Sequence, residues 1–398
     1  MDPRQAELER RLNALLETHP PATTAPPEFL GAQFDAGLAY VHFPEGCGGL
    51  GMPVAFQSRV DRRLFAAGAP SAFRRNPIGY GMAGPTIMTD GSEAQKQRYL
   101  RPMFCGEHVW CQLFSEPGAG SDLASLSTRA ERDGDEWVVN GQKVWTSLAH
   151  VARYGLLLTR TDPNVPKHEG LTYFVVDMRA PGVEVRPLRQ ITGEAEFNEV
   201  FLEDVRIADD ERLGPVGGGW RAALSTLMFE RLNGDNDLPQ GGGAIATALQ
   251  EWSKYGDDST PSGRVLRDRL AACWIAAEVR RLTTLRASAQ RDRGVPGPDG
   301  SVAKLGMATV NQAVFDLAVD LSGAEGMLYP AGYELRRPET MGFDGASDAT
   351  RSFLRAQANS IEGGTSDIMR NILAERVLGL PGEVRVDKHQ PWKDVARS

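Results

Sequence analysis

Apolar positions change their period twice along this 398-residue chain. Leu8, Leu12, Leu15 and Leu16 recur at helical spacing among charges, so residues 4–17 read as an amphipathic helix. Prolines at 20, 21, 26 and 27 then break it. Residues 59–107 stay helix-like, interrupted by Gly79, Gly81, Gly84 and Pro85. Near Val109 the texture changes, and short runs of Val, Trp, Tyr, Phe and Thr alternate with turn residues as far as Leu213. Within 136–145, two strand-like runs flank Asn140-Gly141, a pair that tolerates positive φ, which predicts a β-hairpin turning there. Residues 171–177, 183–188 and 199–207 predict further strands. After Gly217-Gly218-Gly219 the helical period returns. It runs through Trp220, Ala223, Leu224, Leu227 and Met228, then 264–293, then Val310 to Leu321 with a stop at Gly323, then 368–377. With 241–243 and 293–300 as connectors, four long helices after a β-module predict a bundle.

Charge and composition narrow the function. The 44 basic and 52 acidic residues leave a net charge of −8, the wrong sign for a polyphosphate partner, so nucleic-acid binding is excluded as a first reading. Hydrophobic residues at 41% and charged residues at 24% are ordinary for a folded globular chain, which argues against disorder. No run approaches the roughly 20 apolar residues of a membrane span, and the first residues lack the apolar core of a secretory signal. A cytoplasmic protein without membrane contact is expected. Cys47, Cys105, Cys111 and Cys273 show no C-x-x-C spacing and read as buried, reduced thiols. The histidines (19, 42, 108, 150, 168 and 389) form no ligand pattern, so no metal site is expected.

Three segments could carry chemistry. Phe114-Ser115-Glu116-Pro117-Gly118-Ala119-Gly120-Ser121-Asp122 is a loop whose glycines let backbone N–H groups approach a ligand, and it reads equally as a tight connector. It is not a dinucleotide fingerprint, because strands follow it and the third glycine is missing. Glu362-Gly363-Gly364-Thr365-Ser366-Asp367 precedes the last helix, where Thr365 or Ser366 can cap and an anion could rest, or the helix is simply capped. Glu230-Arg231 lies on or beside the apolar face of its helix. A carboxylate there is either a general base with a raised pKa or half of a structural ion pair. Nucleophile-elbow and P-loop patterns are absent.

Taken together, SEPGAGSD from Ser115, NGQKVWTS from Asn140, ITGEAEFNEVFLEDVRI from Ile191 and EGGTSDIMRNILAERVLGL from Glu362 resemble the acyl-CoA dehydrogenase family, in the same order over nearly the whole chain. The resemblance implies an α+β, mainly α fold with an N-terminal helical domain (1–108), a middle β-barrel (109–213), a C-terminal four-helix bundle (214–385) and a tail (386–398). FAD is expected between barrel and bundle. Gln112, Phe114 and Ser115 should line the flavin, with the Trp145 indole packed on its ring and Ser147 bonded to its edge. Thr365 and Asp367 match positions that hold the adenosine and pyrophosphate portion, Ser121 would touch the substrate or the pyrophosphate, and Arg231 and Gly363 fall on the substrate side.

Two departures shape the mechanism that the resemblance implies. Most members carry the catalytic glutamate at the position of Gly363, whereas a subset that includes isovaleryl- and long-chain-type enzymes carries it before an arginine on a bundle helix. Glu230 is therefore the expected base, with Glu362 the second candidate. It would take the α proton of an acyl-CoA thioester while hydride leaves the β carbon for flavin N5. The Gly363 N–H would polarise the carbonyl, and the missing side chain there predicts room for a branched or bulky acyl group. The family's Arg-x-x-Phe element has no counterpart near 255–269, and Asp320 stands where Gln is common. Arg264 or Arg267 would substitute, or a different chain is the partner. Electron-transfer flavoprotein is the expected acceptor and a homo- or hetero-oligomer, dimer or tetramer, the expected assembly. A related flavin oxidase or monooxygenase and a non-catalytic partner subunit are the alternatives.

Overall fold

The computed structural model describes residues 2–232, 239–292, 299–329, 335–340, 348–384 and 387–395. Helix α1 (Pro3–Thr18) is capped by Asp2, which accepts the Arg4 N–H at 3.0 Å. Leu8, Leu12 and Leu15 bury its apolar stripe against Phe29, Leu38, Val60 and Leu64. Helix α2 (Pro26–Asp35) begins on the two prolines that were expected only to interrupt structure. In a first turn the missing proline N–H forfeits no intrahelical bond. Helices α3 (Gln57–Ala66), α4 (Ala72–Arg75), α5 (Gly84–Asp90) and α6 (Glu93–Phe104) complete this part.

Eight strands follow: β1 (Trp110–Leu113), β2 (Arg129–Asp133), β3 (Glu136–Lys143), β4 (Tyr154–Arg160), β5 (Leu171–Asp177), β6 (Val183–Pro187), β7 (Asn198–Ala208) and β8 (Arg212–Leu213). They form one sheet in the order β6-β7-β3-β2-β4-β5-β8, with β1 parallel to β4. Strands β2 and β4 meet only at Arg129 and Arg160, and there the sheet folds over itself into an open barrel. Cys111, Leu113, Phe174 and Val176 from one half and Trp137, Val139, Val200 and Val205 from the other fill its interior. The alternate residues Leu156, Leu158, Tyr173 and Val175 face outward against Ile87, Tyr99 and Leu100 of the helical part. That is why β4 and β5 read as nearly continuous apolar runs.

The hairpin expected at Asn140-Gly141 is not there. Strand β3 runs straight through this pair with a bulge against β7, and the turn lies at Gly134, φ 63°, between the paired Asp133 and Glu136. Both runs flanking Asn140-Gly141 pair with β7, so the segment is a central strand, not two edges. The glycine serves close approach, since a Cβ at 141 would lie 2.7 Å from Thr128 Cα.

The helical remainder comprises α7 (Gly219–Leu232), α8 (Ala244–Tyr255), α9 (Pro261–Asp292), α10 (Asp299–Leu321), α11 (Ala349–Ala356) and α12 (Ser366–Ile372). Most of the 293–300 connector lies outside the described residues. The bundle core draws on Ile245 and Ala248 of α8, Leu270 of α9, Val314, Leu317 and Leu321 of α10, and Ala349 of α11. The apolar pattern of α8 and α11 was too short to stand out, yet both supply core, whereas α7 faces elsewhere. Ala222 and Ala223 of α7 are buried with the outer face of β5. Thr226 donates to Ala222 O at 3.1 Å, and the hydroxyls of Thr86 and Tyr173 lie 2.8 and 3.2 Å from its oxygen. One hydroxyl thus ties α5, β5 and α7 together. No described helix is long and apolar enough to cross a membrane.

Thr226→Val keeps the shape but leaves the Thr86 and Tyr173 hydroxyls buried without this acceptor. The expected loss is about 1–3 kcal/mol, read as a lower urea-unfolding midpoint at unchanged slope.

Candidate active site

The loop from Phe114 to Asp122 is held from beneath by a buried ion pair. Lys143 has no exposed surface, and its ammonium lies 2.8 Å from Glu116 and donates to Phe114 O at 3.0 Å. Glu116 also accepts the N–H groups of Ser127 and Thr128 at 2.6 and 2.9 Å. Burial alone would raise the Glu116 carboxyl, but the Lys143 charge and these hydrogen bonds hold it below the usual carboxylate range. Burial pulls the Lys143 ammonium toward neutrality. The donors converging on Glu116 decide for the ionised pair. Neither residue stands out as a site residue in the sequence. Their only signal was a lysine inside a strand-forming run and a glutamate among small loop residues, and neither pattern names its partner.

Above this pair, Glu116 and Ala119 exchange N–H···O bonds of 3.0 Å, which pins the tight turn. Gly118, Gly120 and Ser121 are exposed, and open space lies where a Cβ at either glycine would project. Gln112, half-buried on β1, pairs with Leu156. The buried Phe114 ring meets Tyr173 edge-on at 5.6 Å. Ser115 O accepts Val144 N–H at 2.9 Å, which brings the loop alongside the segment that follows β3.

In that segment Trp145 and Leu148 adopt left-handed backbone, φ 61° and 58°. Such non-glycine residues persist only where neighbours over-determine them. Here Thr146 and Asn198 exchange backbone bonds of 3.0 and 3.1 Å, and Leu148 N–H donates to Glu196 O at 2.9 Å. The result presents the Trp145 indole outward, 61% exposed, with its ring 6.0 Å from Phe197. Ser147, half-buried, is two residues further on.

Glu196 and Phe197 also join barrel to bundle. Arg355 of α11 lies 3.3 Å from the buried Glu196, reaches both oxygens of Glu362 at 3.1 and 2.9 Å, and sits 5.5 Å from the Phe197 ring. Asn359 adds a 2.7 Å bond to Glu362. Burial would lower the Arg355 pKa, but Glu362 and Glu196 outweigh it and raise it. Glu362 is thus a strut at the entrance to Gly363 and Gly364, whose φ values are 63° and 95°. Thr365 caps α12 by accepting Ile368 N–H at 3.1 Å, and exposed Asp367 pairs with Arg370 at 2.9 Å.

The backbone of α7 carries Glu230 one turn beyond Thr226, but the side chains of Glu230 and Arg231 lie outside the described residues. Near the start of α9, Arg264 donates to Ser259 O at 3.0 Å and Arg267 pairs with Asp258 at 3.3 Å. Asp320 pairs with Arg269 at 2.6 Å. Among the described residues no group of three His, Cys, Asp or Glu could hold a metal ion.

Lys143→Met strands the Glu116 charge in the interior, at an expected cost of about 3–5 kcal/mol. Adding Glu116→Gln removes that charge while keeping an acceptor for the loop N–H groups. The double variant should recover about half of the loss in urea unfolding.

Comparison with known proteins places these features in a family. The acyl-CoA dehydrogenase N-terminal, middle and C-terminal domain models match residues 5–107, 111–205 and 217–378. Acyl-CoA dehydrogenase IpdE1 of Mycobacterium tuberculosis is 40% identical over 357 residues, covering 88% of this chain and 86% of the relative. Among solved structures, the ChsE4-ChsE5 complex from Mycobacterium tuberculosis superposes at a TM-score of 0.70 with 27% identity, covering 96% of this chain and 99% of the matched one. The Tcur3481-Tcur3483 steroid ACAD superposes at 0.73 with 26% identity, covering 95% and 98%. The chain belongs to the acyl-CoA dehydrogenase family, and it is an oxidoreductase of that kind.

Proposed function

We propose that the protein carries out FAD-dependent α,β-dehydrogenation of an acyl-CoA thioester in the cytoplasm, with Glu230 as the base. The observation that carries this reading is the exposed Trp145 indole, locked in left-handed backbone beside the Glu196–Arg355–Glu362 junction. An indole face held open in an otherwise buried segment suits a planar ring, and the open space before Gly118 and Gly120 leaves room for it, so the residues fit FAD. Gln112, Phe114, Ser115, Trp145 and Ser147 would hold the isoalloxazine, and Thr365 and Asp367 the adenosine and pyrophosphate. FAD, when bound, supplies the two-electron acceptor for the hydride that leaves the β carbon.

The chain's own residues supply the rest. Glu230 takes the α proton. Support comes from the sequence, in which Glu230 stands directly before Arg231 on α7, the arrangement of the isovaleryl- and long-chain-type subset. Arg231 and Ser121 contact the substrate. The Gly363 N–H donates to the thioester carbonyl, lowering the cost of the α carbanion. Glu362, with both oxygens engaged by Arg355 and Asn359, holds that glycine in place and leaves proton transfer to Glu230. Gly363 adds no side chain, and a structural relative is described as a steroid ACAD, so we assign a bulky, branched or alicyclic acyl group.

The exposed apolar residues Val265, Ile275, Val279 and Leu282 on α9 need cover. Arg264 and Arg267 are engaged with Ser259 and Asp258 of this chain. We infer that a second chain of the same family packs on α9 and completes the flavin site; one structural relative, ChsE4-ChsE5, is itself a complex. Electron-transfer flavoprotein is the assigned acceptor.

Anaerobic titration with a panel of acyl-CoAs tests the reading. Wild type should be yellow and should bleach, most completely with bulky acyl groups. Glu230→Gln should keep its flavin absorbance and reduce about 10²–10⁴-fold more slowly. Bleaching of Glu230→Gln at the wild-type rate rejects the base, and a protein that never takes up flavin rejects the cofactor.

A further inference from the structure

The glycine loop is also held from outside, by a part of the chain remote in sequence. Asp122, next to Ser121, lies 2.8 Å from Lys167 Nζ, and the same ammonium lies 2.7 Å from Asp387. Its side chain is only 14% exposed, so it bridges two carboxylates instead of extending into water. Ser125 Oγ donates to the same Asp122 oxygen at 2.5 Å. Beside this bridge, buried Arg160 stitches the loop's far end: it donates to Ala124 O at 2.5 Å, Leu126 O at 3.2 Å and Lys167 O at 3.0 Å.

Trp392 closes over that guanidinium. Its ring centroid is 4.4 Å from the Arg160 carbon, and its Nε1–H donates to Ser125 O at 3.3 Å. The chain around it is fastened as backbone: Trp392 N–H donates to Val165 O at 2.9 Å, Lys393 N–H to Pro163 O at 3.0 Å, and Pro391 bridges to Pro166. A desolvated cation under an aromatic face is attracted to it more strongly than in water, and shielding strengthens the carbonyl bonds it makes. The tail therefore fixes Arg160 and Lys167, and these fix the segment from Asp122 to Leu126.

We propose that residues 387–395 are a strap that sets the substrate-side loop, with Trp392, Arg160 and Lys167 as positioning residues for thioester binding. The loop is then clamped on two sides, by Glu116 and Lys143 beneath and by the strap outside, with exposed Ser121 between. This rests on the dehydrogenase reading, in which Ser121 faces the substrate. The strap contacts described above end on Arg160, Lys167 and Ser125 at the loop, so the strap is assigned to affinity and not to the chemical step.

The test uses the flavin-loaded protein. Trp392→Ala, Lys167→Met and a chain lacking 387–398 are compared with wild type in two measurements. One is the anaerobic flavin-reduction rate against acyl-CoA concentration, and the other is calorimetric binding of a non-oxidisable thioether analogue of the same acyl-CoA. Expected are half-saturation and analogue Kd raised about tenfold, a limiting reduction rate within about twofold of wild type, and unchanged flavin content. Trp392→Phe, which keeps the ring and loses the Nε1–H, should recover part of the affinity. Unchanged half-saturation overturns the strap, and so does a limiting rate that falls together with flavin content. If the shortened chain fails to fold, the two point variants decide. A wild type that no acyl-CoA bleaches overturns the dehydrogenase reading instead, whereas a bleaching wild type beside indifferent variants overturns only the strap.

Discussion

A fully buried lysine facing a buried glutamate is the constraint around which this site is built. An ion taken out of water is tolerated only if every direction of its charge finds a partner. Lys143 spends its donors on Glu116 and on Phe114 O, and Glu116 gathers the Ser127 and Thr128 N–H groups. Satisfying the pair therefore fixes the ends of the loop that carries Gly118, Gly120 and Ser121. The loop needs no bulk of its own, and its small residues stay available to a ligand.

The same logic recurs at the seam between barrel and bundle. Arg355 serves Glu196 from the barrel side and Glu362 from the bundle side, with Phe197 against its face. Phe197 in turn meets Trp145, so the exposed indole and the Gly363-Gly364 turn are set by one cation. Next to Gly363, the Glu362 carboxylate is a brace held by Arg355 and Asn359. Helix α7 is turned from the bundle core toward α5 and β5, where Thr226 anchors it.

Much of this architecture was legible in the chain. Helical spacing, a stretch of strand-like runs and helical spacing again marked three regions, and β5, β6, β7, α1 and α7 formed close to where the pattern put them. Local chemistry was less dependable. Asn140-Gly141 looks like a turn by itself, but both of its flanks find β7, and pairing across the sheet outweighs a dipeptide's preference. Pro26 and Pro27 looked like breakers and instead open a helix. Helices α8 and α11 do not stand out in the sequence because short apolar stripes become distinct only against the residues of α10 that cover them.

By itself, the sequence determined the order of helical and strand regions, the family resemblance and the residue types at the site, because periodicity and turn chemistry act over a few neighbouring residues. Only the tertiary structure decided who pairs with whom. It joined Lys143 to Glu116, gave Glu362 to Arg355, and brought Asp387 and Trp392 back to Lys167 and Arg160. Charge pairing inside a protein depends on distance and desolvation, which the folded chain sets and no local pattern of residues encodes.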